Sequence, residues 1–390
     1  MLDRNSNSIH TRPMLLLALR QLQLDPMRSS LTALALSAAL SVIIVLEGFE
    51  SGLYAQLRHV VAARQTDLYV MQAGVANLIA TRSNLPQLTR QDIEAISGVK
   101  AAHPLTAVAV IYDQGKRKSP VFLFVYDTLG GPVRLQEGRP ASSGSEIVID
   151  RSMASAYSLQ LGDTVEIADY EFSLVGIAEE ERALFTSFGF ITYDGLIDFY
   201  LDSDIAADLS TFPLLSYLLV EVVDNANPRE VALRIEEAVK HVDVYTTEQM
   251  MRNDVQLGRD LFGPILGLLT GVAYLIGLLV VGLILYADVN GRLNQYGVLK
   301  ALGFGNGALV RLVWAQSTLL LLFALPVGWL WAEGTGQLIE QFAPIYRVDT
   351  SELLALLRIG IAGFVFAVIG SVLPLHLITK LDPTLVFRNG

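Results

Sequence analysis

Four long runs of apolar residues divide the chain, and the stretches between them are polar. The runs lie at 29–49, 261–287, 312–332 and 359–379. A helix needs roughly 20 apolar residues to cross the hydrocarbon core of a bilayer, so each run predicts a transmembrane helix. The first three runs contain one charged residue, Glu47, near the end of its run. An ionisable residue in a span predicts a functional role; the alternative is a carboxylate that reaches the outer headgroups.

Between the first two runs, the segment 50–260 alternates strand-like and helix-like patterns. Stretches rich in β-branched and aromatic residues at 66–71, 121–126 and 170–178 predict strands. The stretch 215–240 predicts a strand, a turn and an amphipathic helix. Strand–helix order with short links predicts two small α+β lobes. The predicted fold class is therefore an α-helical membrane protein with four transmembrane helices and a large α+β extracytoplasmic domain.

The lysines and arginines orient the spans. They are concentrated in the N-terminal tail, in the segment after the second span and in the C-terminal tail. The positive-inside rule therefore predicts that both termini are cytoplasmic. Asp25-Pro26 predicts a break between an interfacial helix and the first span. The predicted division is a cytoplasmic tail with an interfacial helix at 1–28, a span at 29–49, the extracytoplasmic domain at 50–260, a span at 261–287, a cytoplasmic segment at 288–311, a span at 312–332, an extracytoplasmic loop at 333–358, a span at 359–379 and a cytoplasmic tail at 380–390.

Composition narrows the classes of function. The chain is 52% hydrophobic and 17% charged, with a mean hydropathy of +0.45, and soluble proteins of this size usually carry more charge. The segment 50–260 holds 30 acidic and 17 basic residues. Its acidic balance argues against a nucleic-acid-binding surface, which would be basic. There are no cysteines, which excludes disulfides and thiolate chemistry.

The sequence lacks the motifs of the common catalytic sites. A phosphate-binding loop reads G-x-x-x-x-G-K-[ST], but the only Gly-Lys pair is Gly115-Lys116, with Val110 at the first glycine position and Arg117 after it. The five histidines are scattered, so no metal site is expected. We therefore predict no catalytic residue, no enzyme activity and no cofactor bound by this chain. The run 179–181, Glu-Glu-Glu, is either a cation site or a solvated loop.

The second span carries glycines at four-residue spacing. Gly263, Gly267 and Gly271 would share one face of a helix, and small residues let two helix backbones approach closely in lipid. This spacing predicts either a subunit interface near a twofold axis or packing within the chain.

The segment between the second and third spans is short and broken by glycines. Gly303, Gly305 and Gly307 allow a sharp turn. A compact apolar surface is predicted from Tyr296, Val298, Leu299, Leu302 and Phe304. Exposed apolar side chains on a short helix could dock in a groove of a soluble partner. The alternative is an amphipathic loop that packs on its own bundle.

Here the sequence resembles a known family. In ABC permeases of the FtsX/MacB type, the corresponding segment typically reads E-R-x-x-E-I-G-x-x-[KR]-A-[LV]-G. The run 291–303, GRLNQYGVLKALG, matches it at Arg292, Gly297, Lys300, Ala301 and Gly303. Gln295 and Tyr296 stand where the family usually has glutamate and isoleucine. The stretches 17–36, 146–167 and 373–390 also look like the family's lead-in, outer core lobe and exit, so the resemblance covers nearly the whole chain.

The resemblance implies a mechanical subunit of the type VII, or mechanotransmission, class, of the kind without a fused ATPase (DevC/LolC-like). The outer domain would have the MacB-like periplasmic core fold. Force from a separate ATPase would enter through a coupling segment made of Arg292, Gln295, Tyr296, Gly297, Val298, Leu299, Lys300, Ala301, Leu302 and Gly303.

The implied partners are two copies of an ABC ATPase, which would carry ATP and Mg, and a second permease subunit, identical or related. A periplasmic adaptor and an outer-membrane duct would complete an exporter of a hydrophobic or lipid-like substrate in the inner membrane. Two alternatives within the family are a lipoprotein-releasing permease (LolC/E-like) and an FtsX-like regulator of a cell-wall hydrolase. A membrane-anchored receptor without an ATPase is the alternative from another class.

Overall fold

The computed structural model describes residues 11–79, 81, 83–115, 118–202 and 214–372. The predicted C-terminal tail at 380–390, the end of the fourth predicted span and the family-like exit at 373–390 lie outside the described residues, as do residues 1–10. The chain divides into two compact units. We call the first, Met1–Ser51, Ile265–Leu338 and Val348–Gly390, the helix bundle; we call the second, Gly52–Pro264 and Ile339–Arg347, the α+β domain.

The helices, in chain order, are α1 (Thr11–Leu24), α2 (Pro26–Ala62), α3 (Thr89–Glu94), α4 (Arg151–Tyr157), α5 (Tyr193–Asp202), α6 (Pro228–Ala238), α7 (Thr247–Asn290), α8 (Leu293–Ala301), α9 (Asn306–Phe342) and α10 (Leu353–Gly370). Within the described residues, α2, α7, α9 and α10 are long and apolar enough to cross a membrane. The predicted set of four apolar helices is therefore confirmed. The break predicted at Asp25-Pro26 separates α1 from α2.

The long helices continue beyond the apolar runs that revealed them. α7 begins at Thr247, well before the run at 261–287, and α9 continues to Phe342. Hydropathy marks only the part of a helix that matches the bilayer core, whereas the flanking turns are polar and keep the helical hydrogen bonds. The membrane limits of each span stay predictions.

The helix bundle contains two apolar cores. The larger one has buried residues from α1, α2, α7, α9 and α10, including Leu40, Val281, Leu320, Ile359 and Phe366. The smaller one lies around Tyr296 of α8 and includes Ala18, Val289, Leu309, Leu312 and Val313. The backbones of α7 and α10 approach closely at two glycines: a Cβ built on Gly282 would lie 3.4 Å from the Cα of Gly370. Small residues permit this kind of close helix contact in membrane proteins.

The strands, in chain order, are β1 (Leu68–Gln72), β2 (Leu85–Pro86), β3 (Val99–Asp113), β4 (Lys118–Tyr126), β5 (Leu135–Gly138), β6 (Glu146–Asp150), β7 (Thr164–Ile167), β8 (Tyr170–Ala178), β9 (Arg182–Ala183), β10 (Thr186–Thr192), β11 (Leu214–Leu215), β12 (Tyr217–Val222) and β13 (Val242–Thr246). Eleven of them form one mixed sheet in the order β13-β1-β12-β3-β4-β10-β6-β8-β5, with β7 paired to β8 and β9 to β10. β2 and β11 form a separate pair.

Two cores lie along this single sheet. One packs α3 and α6 against β1, β12, β13 and the start of β3. The other packs α4 and α5 against β4, β6, β7, β8 and β10. The two predicted lobes are therefore present as two cores, and the long strand β3 joins them, since it pairs with β12 on one side and β4 on the other.

Strand β10 was not predicted from the sequence. It lies between β4, to which it is parallel, and β6, to which it is antiparallel, and its residues are nearly all buried. Its central Gly189 sits against Leu123, because a Cβ there would lie 2.8 Å from a Leu123 methyl carbon. A glycine inside a strand usually weakens it, so the pattern TSFGFIT did not indicate a central strand.

Candidate functional site

The predicted coupling segment is a two-turn helix between two long ones. α8 begins shortly after α7 ends, and Gly303 ends it with a φ of +94°. The amide of Phe304 donates to the carbonyl of Leu299 at 3.1 Å, and the amide of Gly303 donates to that of Lys300 at 3.0 Å. This pair of hydrogen bonds is a Schellman motif, which favours glycine at the left-handed position. The predicted turn is therefore present at Gly303.

Arg292 begins α8 and is buried. Its guanidinium nitrogens bond to the Asp288 carboxylate (3.2 Å), the carbonyl of Gln21 (3.0 Å) and the hydroxyl of Ser29 (2.9 Å). The partners belong to α7, α1 and α2, so this arginine ties the start of α8 to three helices. Its side chain is 2% exposed and therefore holds α8 in place rather than presenting a charge to a partner.

A second arginine strengthens the same attachment. Arg28 donates to the carbonyls of Ala287 (2.9 Å) and Gly291 (3.0 Å), and its Nε lies 3.5 Å from Asp288 Oδ1. A Cβ on Gly291 would collide with the Arg28 guanidinium. The partners of Arg28 lie more than 250 residues away in the chain, so no local pattern in the sequence indicates this attachment.

Tyr296 is also buried, which corrects its predicted place on an exposed apolar surface. Its hydroxyl donates to Gln316 Oε1 at 2.5 Å, and the Gln316 amide donates to Gln21 Oε1 at 2.5 Å. This chain joins α8, α9 and α1. The tyrosine that replaces the usual isoleucine therefore adds a polar link in a buried position. Gly297, next to it, is buried as well.

The opposite side of the segment is open. Val298 is 44% exposed and Leu302 is 72% exposed, and Asn294, Ala301 and Gly303 are exposed with them. We call these five residues the outward face of α8. The remaining predicted residues are half-buried: Gln295, Leu299 and Lys300. The predicted coupling residues thus split into an anchoring set and an outward set, which the sequence motif alone did not separate.

The glycine row on the second span is mostly outside the bundle. Gly267 and Gly271 are exposed, and a Cβ on either would meet nothing within 4 Å among the described residues. The two predicted alternatives, a subunit interface and packing within the chain, both stay predictions. A Cβ on Gly263 would lie 3.8 Å from the Tyr54 hydroxyl, an ordinary contact. The glycine of α7 that approaches another helix backbone is Gly282, described above.

Glu47 does not reach outward to headgroups. Its side chain is 6% exposed. Its carboxylate accepts a hydrogen bond from the Tyr274 hydroxyl at 2.9 Å and pairs with Arg358 at 2.7 Å. The alternative of a carboxylate that reaches the outer headgroups is therefore wrong. The group links α2, α7 and α10, as expected for an ionisable residue in a membrane segment that faces the bundle and finds a partner.

The glutamate run 179–181 is divided by burial: Glu181 is buried, whereas the side chains of Glu179 and Glu180 are 34% and 45% exposed. Glu181 and Arg64 form an ion pair that is buried on both sides. The Arg64 guanidinium also donates to the carbonyl of Gly130 at 2.6 Å and lies 5.3 and 5.2 Å from the ring centres of Phe124 and Phe190. A buried pair of this kind is costly to break from one side. Glu179 and Glu180 pair with arginines nearer the surface.

A second buried carboxylate in the α+β domain has no ionic partner among the described residues. Asp254 lies in the part of α7 that precedes the apolar run at 261–287. Its Oδ1 accepts the amide of Leu78 at 3.0 Å, and its Oδ2 is buried without a hydrogen bond. Burial raises the pKa of Asp254 to about 7, because removal from water penalises the charged form.

Comparisons with known proteins cover the whole chain. Residues 29–238 match the family model of the MacB-like periplasmic core domain, and residues 267–383 match that of the FtsX-like permease C-terminal region. An uncharacterised ABC transporter permease of Mycobacterium tuberculosis strain H37Rv is 26% identical over 378 residues, covering 96% of this chain and 99% of that protein. Another, from Mycobacterium bovis, is 24% identical over 383 residues, covering 96% of this chain and 99% of that protein.

Two solved structures resemble part of the chain. One is the periplasmic region of MacB from Actinobacillus actinomycetemcomitans, which is 13% identical in sequence and has a TM-score of 0.35. The match covers 49% of this chain and 92% of that chain. The other is the extracellular domain of the noncanonical ABC-type transporter YknZ from Gram-positive bacteria, with 12% identity, 46% and 99% covered, and a TM-score of 0.34.

The family models agree with the order of elements found here, with the core-domain model ending before α7 and the permease model spanning α8 and α9. They confirm the predicted resemblance and the predicted fold class. The protein is a membrane protein, and it belongs to the ABC transporter permeases of the MacB/FtsX type.

Proposed function

We propose that this chain is the force-transmitting membrane subunit of an ABC transporter in which a separate ATPase pushes on α8. The observation that carries the proposal is the division of α8 into two faces. Arg292 and Tyr296 fasten one face to the bundle, while Val298 and Leu302 leave an apolar outward face uncovered. A helix that is anchored on one side and apolar on the other fits the helix-in-groove mode of recognition.

The anchoring explains how a push would spread through the bundle. Arg292 bonds to residues of α1, α2 and α7, and Tyr296 reaches α9 and α1 through Gln316. Displacing α8 therefore loads these helices together rather than bending one loop. α2, α7 and α9 each contain residues of both units, so motion of the bundle enters the α+β domain through helices. Coupling of this kind requires an element with two arrangements that both sites bias.

The remaining parts of the assembly follow from the same mechanism. The chain lacks a phosphate-binding loop in its sequence, so ATP and Mg would be bound by two copies of the partner ATPase. A second permease subunit, identical or related, would cover the exposed side of α7 around Gly267 and Gly271. Glu47, held by Tyr274 and Arg358, would keep α2, α7 and α10 in register during the motion.

The substrate and setting complete the proposal. The protein would lie in the inner membrane with both termini and α8 in the cytoplasm and the α+β domain outside. It would export or release a hydrophobic or lipid-like substrate, with a periplasmic adaptor and an outer-membrane duct. Lipoprotein release and control of a cell-wall hydrolase use the same mechanical step, and they differ in what the α+β domain contacts. Lipid or lipoprotein that copurifies with the complex would distinguish them.

Site-specific crosslinking tests the docking step directly. The chain has no cysteine, so one introduced thiol is unambiguous. Leu302→Cys places it on the outward face of α8. Met27→Cys is the matched control, because Met27 is 76% exposed and lies in the predicted cytoplasmic segment 1–28. With a thiol-to-amine crosslinker in native membranes, we expect Leu302→Cys to capture an ATP-hydrolysing subunit and Met27→Cys not to capture it. Capture of the ATPase at neither position, with and without nucleotide, would contradict the proposal.

A further inference from the structure

The α+β domain contains a cleft of about 380 Å³ that the proposed coupling does not use. One wall comes from the start of β4, from α4 and from β10. The other comes from Phe185 and from residues 341–346, at and after the end of α9. Its size is within the about 300–1,000 Å³ typical of small-molecule sites. We call it the hydroxyl cleft, after the groups on its first wall.

The first wall carries five hydroxyl groups: Ser119, Ser152, Ser155, Tyr157 and Ser187. Their observed hydrogen bonds form two short chains. Tyr157 donates to Ser119 Oγ at 2.6 Å, and Ser152 Oγ lies 2.7 Å from Ser187 Oγ.

The orientation of these bonds leaves acceptors open. The Ser152 hydroxyl donates to the carboxylate of Asp150, so the proton between Ser152 and Ser187 belongs to Ser187. A hydroxyl has one proton and two acceptor lone pairs. The Ser152 and Ser187 protons are therefore used within the wall, and each of these two oxygens has more acceptor lone pairs than these bonds use. This wall suits a ligand that donates several O–H groups.

The second wall is aromatic. Phe342 is 84% exposed, and Phe185 and Tyr346 meet edge to face, with ring centres 5.6 Å apart. Phe185 and its neighbour Leu184 both have positive φ, at +63° and +50°. These two residues form the turn between β9 and β10, in which Ala183 pairs with Thr186, and a two-residue hairpin turn of this kind requires positive φ at both positions. The turn sets Phe185 at the cleft, close to Ser187 of the first wall.

Of the described residues that line the cleft, none is charged. From this described lining, an anionic or cationic ligand would gain no opposite charge in return for the hydration that it loses. An acyl chain would displace water from the hydroxyl groups of the first wall and could not form hydrogen bonds with them. A buried polar group left without a partner is destabilising. A ligand with hydroxyls on one side and an apolar ring face on the other satisfies both walls.

We propose that the hydroxyl cleft binds a neutral sugar ring, free or as the head of a larger molecule. The serine oxygens of the first wall accept from the sugar hydroxyls, and the C–H face of the ring lies on Phe342 and Tyr346. This assignment goes beyond the proposed function, because the coupling of α8 to an ATPase does not depend on it.

Binding is measured on the full chain in phosphatidylcholine nanodiscs. Gln341→Cys, an exposed position at the cleft, carries a trifluoromethyl label, and the absence of native cysteine makes this label unique. Maltose and glucose are the neutral probes, glucuronate is the matched anion, and 1-hexanol is the apolar probe. We expect a saturable ¹⁹F shift with maltose and glucose and none with glucuronate or hexanol. A label at Leu233→Cys, on exposed α6, should not respond.

Two variants link the shift to the two walls. Phe342→Ala removes the exposed ring and should weaken maltose binding about 2- to 12-fold, from the range measured for aromatic contacts. Ser155→Ala, also exposed, should weaken it by a similar factor through a lost hydrogen bond. The inference is overturned if neutral sugars give no saturable shift, if hexanol gives the shift instead, or if both variants bind maltose like the wild type. Normal ATPase crosslinking at Leu302→Cys alongside such a result would leave the proposed function standing.

Discussion

Leu302 has the most exposed large apolar side chain on the outward face of α8, at 72%. Leu302→Ala therefore removes contact area that a docked ATPase would cover, without opening a cavity in the bundle. The residue also caps the helix with a backbone hydrogen bond to Val298, which alanine can keep. The substitution isolates docking from folding.

The expected loss follows from the exposed fraction. The change removes three carbon groups, each contributing about 0.8 kcal/mol when fully buried, or about 2.4 kcal/mol in total. Scaled to the 72% that is exposed before docking, this becomes about 1.7 kcal/mol. Since a factor of ten in the dissociation constant corresponds to about 1.4 kcal/mol, the ATPase should bind roughly 15- to 20-fold more weakly.

The assay titrates the ATPase that copurifies with the wild-type chain onto nanodisc-embedded wild type and variant. Leu233→Ala is the matched control, because Leu233 is 60% exposed on α6 and loses the same atoms. We expect the thermal stability of both variants to equal that of the wild type. If Leu302→Ala binds the ATPase as tightly as Leu233→Ala does, the outward face of α8 is not the docking surface.

Three further predictions concern stability of the full chain in nanodiscs. Asp254 has a pKa of about 7 in the folded state against 3.8 when unperturbed, so the folded state binds more protons between these pH values, and the free energy of unfolding falls by up to about 4 kcal/mol as pH rises through them. Asp254→Asn should remove this part of the dependence of melting temperature on pH, whereas Asp260→Asn, at an exposed position, should keep it. An unchanged pH dependence in Asp254→Asn would refute the assignment. Glu181→Gln leaves Arg64 buried without its partner and should lower the free energy of unfolding by about 3–5 kcal/mol in chemical denaturation; a loss well under 1 kcal/mol would contradict the buried pair. Gly291→Ala should displace the neighbouring guanidinium from two carbonyls and cost about 2–3 kcal/mol, measured by the same method, and a neutral result would show that this attachment is dispensable.

The coupling segment shows how far a sequence motif reaches. The ten residues that the motif selected lie together in the structure, in α8, its N-cap Arg292 and its glycine turn. It grouped Tyr296 with the exposed apolar residues, because tyrosine is compatible with either environment. The partner that buries it, Gln316, lies 20 residues away on another helix. The motif likewise did not indicate that Arg292 is a buried anchor, because its partners lie on three other helices.

The glycines of α7 also show that a local pattern does not identify the contacts of a residue. Spacing selected Gly267 and Gly271, where an added Cβ would meet nothing within 4 Å among the described residues. It did not select Gly282, which allows α7 to approach α10. The spacing of small residues reports that a close approach is possible on one face. Which helix occupies that face depends on how the bundle folds.

The sequence by itself determined the class of protein, the four apolar helices and the family. These depend on local quantities: the length of an apolar run against the bilayer thickness, the period of strand and helix patterns, and a glycine-marked motif. Only the tertiary structure decided which side of α8 is outward, that Glu47 and Glu181 are buried in ion pairs, and that serines of α4, β4 and β10 face the aromatic rings of 342–346 across one cleft. These features join residues far apart in the chain, and the energy that sets them comes from packing and burial that no short window of sequence contains.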